Sequence, residues 1–283
     1  MYDVVIIGCG IVGAATAFEL SKYRLKVRIV ERENDVACGT TKANSAIIHA
    51  GYDPVPGTLM ARLNVRGAAL ARELCAALDV PYLPCGSLVL GFSPEDQAHL
   101  EELYRRGVAN GVPDLALLTG DEARAMEPNL SPAVTAALHA PTAAICSPWE
   151  YGLALAETAV RNGAELQLET AVTGLTPTEE GWRVETNRGV LEARYVVNAA
   201  GLDAQAIHEM AAPPSFAIHP SRGQYFLLDK SEGGRVGRVI FQCPNEKGKG
   251  VLVSPTVHGN LIVGPDAEPV EGDDTATTAA GLD

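Results

Sequence analysis

Residues 1–33 read MYDVVIIGCGIVGAATAFELSKYRLKVRIVERE, with Gly8, Gly10 and Gly13 following directly on the apolar residues 4–7. DVVII (3–7) has the short, β-branched composition of a strand buried on both faces in a parallel sheet. AATAFELSKY (14–23) is a run of helix formers whose Ala14, Ala15 and Ala17 let a helix sit close to that sheet, and KVRIVE (26–31) predicts a second strand ending in an acid. Strand, glycine turn, helix, strand and acid together form the dinucleotide-binding fingerprint in its full context. Gly8 permits the sharp turn, Gly10 removes a Cβ that would block a diphosphate, and Gly13 allows close packing of the helix. The amides of Ile11 and Val12 open that helix and attract the anion. Glu31 lies 18 positions past Gly13, where a carboxylate accepts from ribose hydroxyls, with Arg32 next to it on the nucleotide side. A carboxylate there repels a 2′-phosphate, which disfavours NADP.

The 283 residues can hold one large or two modest domains, and 47% hydrophobic with 20% charged residues is an ordinary globular composition. A net charge of −13 makes a field that repels phosphate backbones and anionic headgroups, so nucleic acid is excluded as an expected partner. Aromatic residues at 5% argue against a stacking surface for sugars or bases. Six scattered cysteines form no Cys-x-x-Cys pair, which suggests neither a zinc site nor a disulfide framework and fits a reducing cytoplasm. No metal is expected. With no basic leader and no apolar run long enough to span a bilayer, a cytoplasmic location is expected, peripheral docking on the inner face of a membrane staying open.

Three features favour FAD over NAD as the nucleotide. The fingerprint begins at residue 3, with no substrate domain before it. NDVACGTTKANSAIIHAGYD (34–53) breaks the β-α-β rhythm with the small and polar residues of an extended segment that wraps a flavin. Within it Thr40, Thr41, Asn44 and Ser45 offer hydroxyl and amide groups to the diphosphate and the flavin ring. ARYVVNAAG (193–201) is a late buried strand whose Ala200 and Gly201 return beside the nucleotide.

NSAIIHAGYDPVPGTLMARLNVRGAAL, PYLPCGSLVLGFS, GVPDLALLTGDEARAMEPNL, YVVNAAGLDA and SRGQYFLLDK occur in that order along the chain. In these motifs the sequence resembles the L-2-hydroxyglutarate dehydrogenase and anaerobic glycerol-3-phosphate dehydrogenase group of flavoproteins, within the D-amino-acid-oxidase-like superfamily. The resemblance implies bound FAD and an α/β fold. It also implies a discontinuous Rossmann-like FAD domain (1–80 and 145–212) with an inserted α+β substrate domain (81–144 and 213–265) on a mainly antiparallel sheet. Val172 joins the cofactor residues on the same footing. The implied reaction is oxidation of a small 2-hydroxy acid or glycerol 3-phosphate by hydride transfer to flavin N5, with oxygen, a quinone or a partner protein as electron acceptor. An amine or amino-acid oxidase is the alternative, as is a fragment inactive on its own. The family pattern continues past this sequence, so residues 266–283, with six acids and no base, are expected to be a mobile start of a missing C-terminal segment.

Helices are expected over 58–78, with Leu59, Leu63, Leu70, Leu74 and Leu78 as core, from Ser93-Pro94 to about 110, and from Thr119 with Glu122 three residues on. A further capping box is expected at Ser147–Glu150. ELQLETAVTGL, GWRVETN and VLEARYVV predict an antiparallel meander, and strands dominate after Phe216. Trp149 and Trp182 are expected in the core.

Alcohol oxidation needs an acceptor for the hydroxyl proton and cations for an anionic substrate. His49 follows Ile47 and Ile48, where a polar ring needs a reason, and its ordinary pKa of about 6.5 suits proton transfer. The family's matching histidine lies near the flavin, making His49 the leading base or hydrogen-bond partner. Arg222 is the expected substrate clamp. Tyr52 is placed to close over a substrate, and Asp53 beside it would repel a phosphate. Cys9 is a packing residue.

Overall fold

The computed structural model describes residues 1–243, 250–270, 272 and 274–281. The chain forms two compact units, the first Met1–Asn44, Pro148–Pro220 and Pro269–Asp274, the second Ser45–Ser147, Ser221–Glu268 and Thr275–Asp283.

In the first unit, β1 (Tyr2–Ile7), α1 (Ile11–Leu20) and β2 (Val27–Val30) follow the expected order. β1 pairs in parallel with β2 on one side and with Gly189–Asn198 on the other, and Glu165–Gln167 extends the parallel block beyond β2. Val172–Thr178 and Gly181–Thr186 complete the six-stranded sheet as an antiparallel meander. ELQ (165–167), expected in the meander, is therefore an edge strand of the parallel block. β1 can be continuously apolar because it lies mid-sheet, with Val5, Ile6 and Ile29 fully buried. Val5, Ile7 and Val30 pack with Leu175, Val184, Ala193 and Ile207, and the half-buried Trp182 lies against them. Trp149, by contrast, is exposed at the start of helix Pro148–Arg161, which packs on α1.

The second unit is built on a seven-stranded sheet with Ser87–Gly91 near its middle. This strand pairs antiparallel with Ala136–Ala140 and parallel with Val239–Gln242, and the strands after residue 239 run antiparallel, as the mainly antiparallel reading expects. α2 (Leu59–Ala77), α3 (Pro94–Ala109) and α4 (Gly120–Met126) complete it. Capping boxes close at Ser93/Asp96 and Thr119/Glu122, each satisfying two amides that a helix start would otherwise leave unpaired. The box expected at Ser147 does not form: its buried hydroxyl has no hydrogen-bond partner among the described residues. α3 seats Leu100 and Leu103 in a core with Val89, Val112 and Leu138. Replacing the fully buried Leu100 by alanine is expected to cost about 2–5 kcal/mol in lost burial and cavity formation, measured by urea unfolding.

Three expectations change here. Residues 45–80, assigned by sequence to the first unit, cluster with the second. The reason is local pairing: Ile47–Ile48 joins Ala144–Cys146 antiparallel, and the Asn110 side chain donates to the carbonyls of Gly51 and Pro54 at 3.0 and 2.8 Å. Of the leucines expected as core, Leu59, Leu63 and Leu70 are 58%, 52% and 42% exposed and Leu74 and Leu78 are half-buried, while Ala61, Ala71 and Cys75 are buried. The helix packs by its small residues. The acidic tail is tied down where it is described. Gln224 donates to Asp266 Oδ2 at 2.7 Å and accepts from the Thr278 amide at 2.7 Å; residues 271, 273, 282 and 283 lie outside the described residues.

Candidate functional site

Two sets of residues are candidates for a functional site, one in each unit. In the first, the chain leaves β1 through Gly8, whose φ of +95° turns it into α1. A Cβ on Gly13 would stand 1.9 Å from the Gly8 carbonyl oxygen, so helix and strand approach as only glycine permits. Gly10 differs, because a Cβ there would meet only the Thr41 hydroxyl at 3.0 Å. α1 begins without a side-chain cap on Gly10 and without an acid in its first turn. The Ile11 amide donates to Thr41 Oγ1 at 2.9 Å, and those of Val12 and Gly13 have no acceptor within the helix. Such a helix start suits an anion.

Glu31 is buried and aimed at this loop. Its Oε2 accepts from the Cys9 amide at 2.7 Å and its Oε1 from the Glu33 amide at 3.0 Å. These bonds use two of about four lone-pair sites on the carboxylate, leaving acceptors for a ribose diol. Burial, with Glu31 alongside, pushes the Cys9 thiol up to about 12, which fits a packing residue and not a thiolate. Thr40 and Thr41 lie in the turn Thr40–Lys42, where the Asn44 side chain donates to both their carbonyls. Arg32 is tied to Asp203 at 2.8 Å and Glu33 at 3.0 Å. Val172 and Ala200 pack against the apolar cluster under β1, and Gly201 opens the turn Gly201–Asp203 with φ +60°. A Cβ on Gly8 would meet the Ala199 carbonyl oxygen at 2.6 Å, so the 199–201 segment borders the glycine loop. A buried acid, a cradle closed to side chains and open helix amides together fit a dinucleotide.

In the second unit, a cavity of about 290 Å³ is lined by Ser45, His49, Tyr52, Asp53, Tyr225 and Gln242 with apolar neighbours that include Phe241. The His49 ring lies 4.5 Å from that of Tyr52 and 6.2 Å from that of Phe241, centroid to centroid. Tyr52 is buried in the core of this unit, and burial pushes its phenol well above the ordinary value, so it stays neutral where its ring lies against that of His49. The 49–54 loop is clamped from two helices. Asn64 donates to the His49 carbonyl at 2.7 Å, Arg106 to that of Asp53 at 3.4 Å, and Asn110 to two more. Arg222 is absent from the cavity lining, its guanidinium engaged by Glu268 at 2.7 Å and by the Ala276 carbonyl at 2.7 Å.

The family model for FAD dependent oxidoreductases matches residues 3–283. The chain belongs to that family. A glycerol 3-phosphate dehydrogenase of Caloramator mitchellensis is 50% identical over 100% of this chain and 59% of its own length. A glycerol 3-phosphate oxidase of Mycoplasma pneumoniae is 32% identical over 94% of this chain and 71% of its own, and an L-2-hydroxyglutarate dehydrogenase of Escherichia coli K12 is 32% identical over 94% and 64%. The chain therefore spans about 60–70% of the curated relatives it matches. Among solved structures, the L-α-glycerophosphate oxidase of Mycoplasma pneumoniae with FAD bound superposes with a TM-score of 0.89 at 31% identity, covering 99% of this chain and 75% of the other. FAD is thus the dinucleotide of this family, and the Rossmann-like reading of the fold holds. No helix among the described residues is long and apolar enough to cross a membrane.

Sequence reasoning singled out His49, Tyr52, Asp53 and Ser45, which the fold brings to one cavity. It missed Tyr225, Phe241 and Gln242, which come from the far end of the chain, and the anchoring pair Asn64 and Asn110. Asn64, a polar residue within an apolar helix run, was the available signal for the anchor.

Proposed function

We propose that this chain carries the FAD-binding and substrate-pocket parts of a dehydrogenase or oxidase acting on CH–OH groups. Glycerol 3-phosphate is the first substrate to consider, and a 2-hydroxy acid such as L-2-hydroxyglutarate the second. The reading rests on 50% identity across the whole chain to a relative named for glycerol 3-phosphate. The cavity around His49 supports it, since it is small, largely apolar and edged by a few polar groups, as sites for small molecules are.

Bound FAD supplies the acceptor for the hydride that leaves the alcohol carbon. The glycine loop and the start of α1 hold the diphosphate, and Glu31 holds the ribose. Thr40, Asn44, Arg32, Val172, Ala200 and Gly201 are proposed to border the cofactor, and His49 to face the substrate oxygen. Arg222 would serve as a clamp only after leaving Glu268.

The test is anaerobic mixing of the FAD-loaded protein with glycerol 3-phosphate, L-2-hydroxyglutarate, glycine or L-proline, following flavin absorbance at about 450 nm. Bleaching by a hydroxy compound and not by the amino acids is the expected result. Bleaching by an amino acid with ammonia release, or no bleaching at all in protein that retains FAD, overturns it. The Asp53 carboxylate in the lining repels an anion held beside it, which makes the relative rates on the phosphate and the dicarboxylate informative. Rates of reoxidation by oxygen or by a quinone then distinguish the acceptors, a partner protein being indicated if both are slow.

A further inference from the structure

We infer that Tyr225 is a specificity-determining residue of the cavity in the second unit, its phenol donating a hydrogen bond to the end of the substrate that does not react, a carboxylate or a phosphate. The inference deepens the alcohol-oxidation reading above and rests on it for which end of the substrate reacts.

The cavity has two walls. One is the loop that carries His49, and the other comes from the segments after residue 220, with Tyr225, Phe241, Gln242, Leu252 and Pro265. With the reacting oxygen at His49 on the loop wall, a small substrate turns its other end to the second wall. Among the described lining residues of that wall, Tyr225 and Gln242 carry polar side chains, Gln242 exposed and Tyr225 half-buried. No hydrogen bond engages the Tyr225 hydroxyl among the described residues. A phenol set into an apolar wall ordinarily finds a partner, and here the partner left to it is the occupant of the cavity. Carboxylate and phosphate oxygens only accept, so toward them the phenol donates.

The ring is placed before any ligand arrives. Tyr225 directly precedes the strand Phe226–Leu228, which pairs antiparallel with Leu261–Gly264. The Gln224 amide donates to Asp266 Oδ1 at 2.6 Å, and the Asp266 amide donates to the Gln224 carbonyl at 3.2 Å, so the backbone entering Tyr225 is held on both sides. Gly264 gives the ring its seat. At its φ of +142°, a Cβ would stand 2.9 Å from Tyr225 Cδ1 and 2.8 Å from the Gln224 carbonyl oxygen, an approach that only glycine permits. A donor fixed in advance loses little freedom when it binds, which favours affinity.

Two measurements test this. In the FAD-loaded protein, Tyr225→Phe removes the hydroxyl and keeps the ring. It is expected to raise the concentration of glycerol 3-phosphate or L-2-hydroxyglutarate that half-saturates anaerobic flavin reduction by about 10- to 100-fold, with the limiting rate within about 3-fold of the parent, as loss of a hydrogen bond to a charged group predicts. An unchanged half-saturating concentration, or a loss confined to the limiting rate, overturns the inference. In protein carrying tyrosine ¹³C-labelled at Cζ, the Tyr225 signal is assigned by its absence from Tyr225→Phe. It is expected to move saturably when either compound is added, and a signal indifferent to both overturns the inference whether or not flavin is reduced. A parent protein that neither compound reduces, but whose Tyr225 signal moves, defeats the substrate reading alone and upholds the phenol as an anion's donor.

Discussion

Gly10→Val is expected to leave the chain folded and strip it of FAD. Gly10 has φ −73° and ψ −175°, which any residue adopts, and a Cβ there meets only the Thr41 hydroxyl at 3.0 Å, the end of a movable side chain. The fold can absorb that contact. The two methyl groups beyond it cannot be absorbed by a diphosphate, because they fill the approach to the open amides at the start of α1. Losing two charge-assisted hydrogen bonds, at about 1.5–3 kcal/mol each, weakens binding by about 100-fold or more. Flavin content after gel filtration, read beside the melting curve of the FAD-free protein, checks both halves. Normal flavin content in a folded variant would remove the glycine loop from the cofactor site.

Gly13→Val, three residues on, is expected to prevent the first unit from folding. Its Cβ would stand 1.9 Å from the Gly8 carbonyl oxygen, and because that oxygen is backbone and the Cβ is fixed to the helix backbone, relief requires prising α1 off the end of β1. Ordinary overpacking costs about 1–3 kcal/mol, and a collision with backbone where β1 turns into α1 exceeds that against a total stability of about 5–15 kcal/mol. The expected observation is aggregated protein, or loss of a cooperative transition by circular dichroism. Gly67→Ala is the control. Gly67 is exposed on α2 with nothing within 4 Å of its would-be Cβ, and alanine there is expected to stabilise by up to about 1 kcal/mol. A Gly13→Val protein that melts like the parent would contradict the packing argument.

The contrast among these glycines shows what a one-dimensional reading can and cannot weigh. The fingerprint assigned each of the first three a task, and the fold bears out the close packing at Gly13. It did not reveal that the hydroxyl of Thr41, expected to face the cofactor, accepts from the Ile11 amide across 30 residues. Nor did periodicity identify the buried face of α2. Leucine recurred at helical spacing, but so did the small residues, and close packing against the unit chose the small ones. A helix after a wrapping segment reads as more of the same domain, which puts the break between units near 80. Two residues of strand pairing at Ile47–Ile48 and a clamp from Asn110 carry that stretch into the other unit.

What the sequence determined by itself is the nucleotide end of the protein. Every constraint there lies within some thirty residues: a buried strand, a turn without side chains, a helix start and an acid 18 positions past Gly13. Such local geometry is written in residue types, and the family follows from it together with the order of the later motifs. Only the tertiary structure decided the other end. It put Tyr225, Phe241 and Gln242 beside His49, engaged Arg222 with Glu268, and seated the Tyr225 ring against Gly264. Those facts depend on which distant strands pair, and that is not encoded at any single position of the chain.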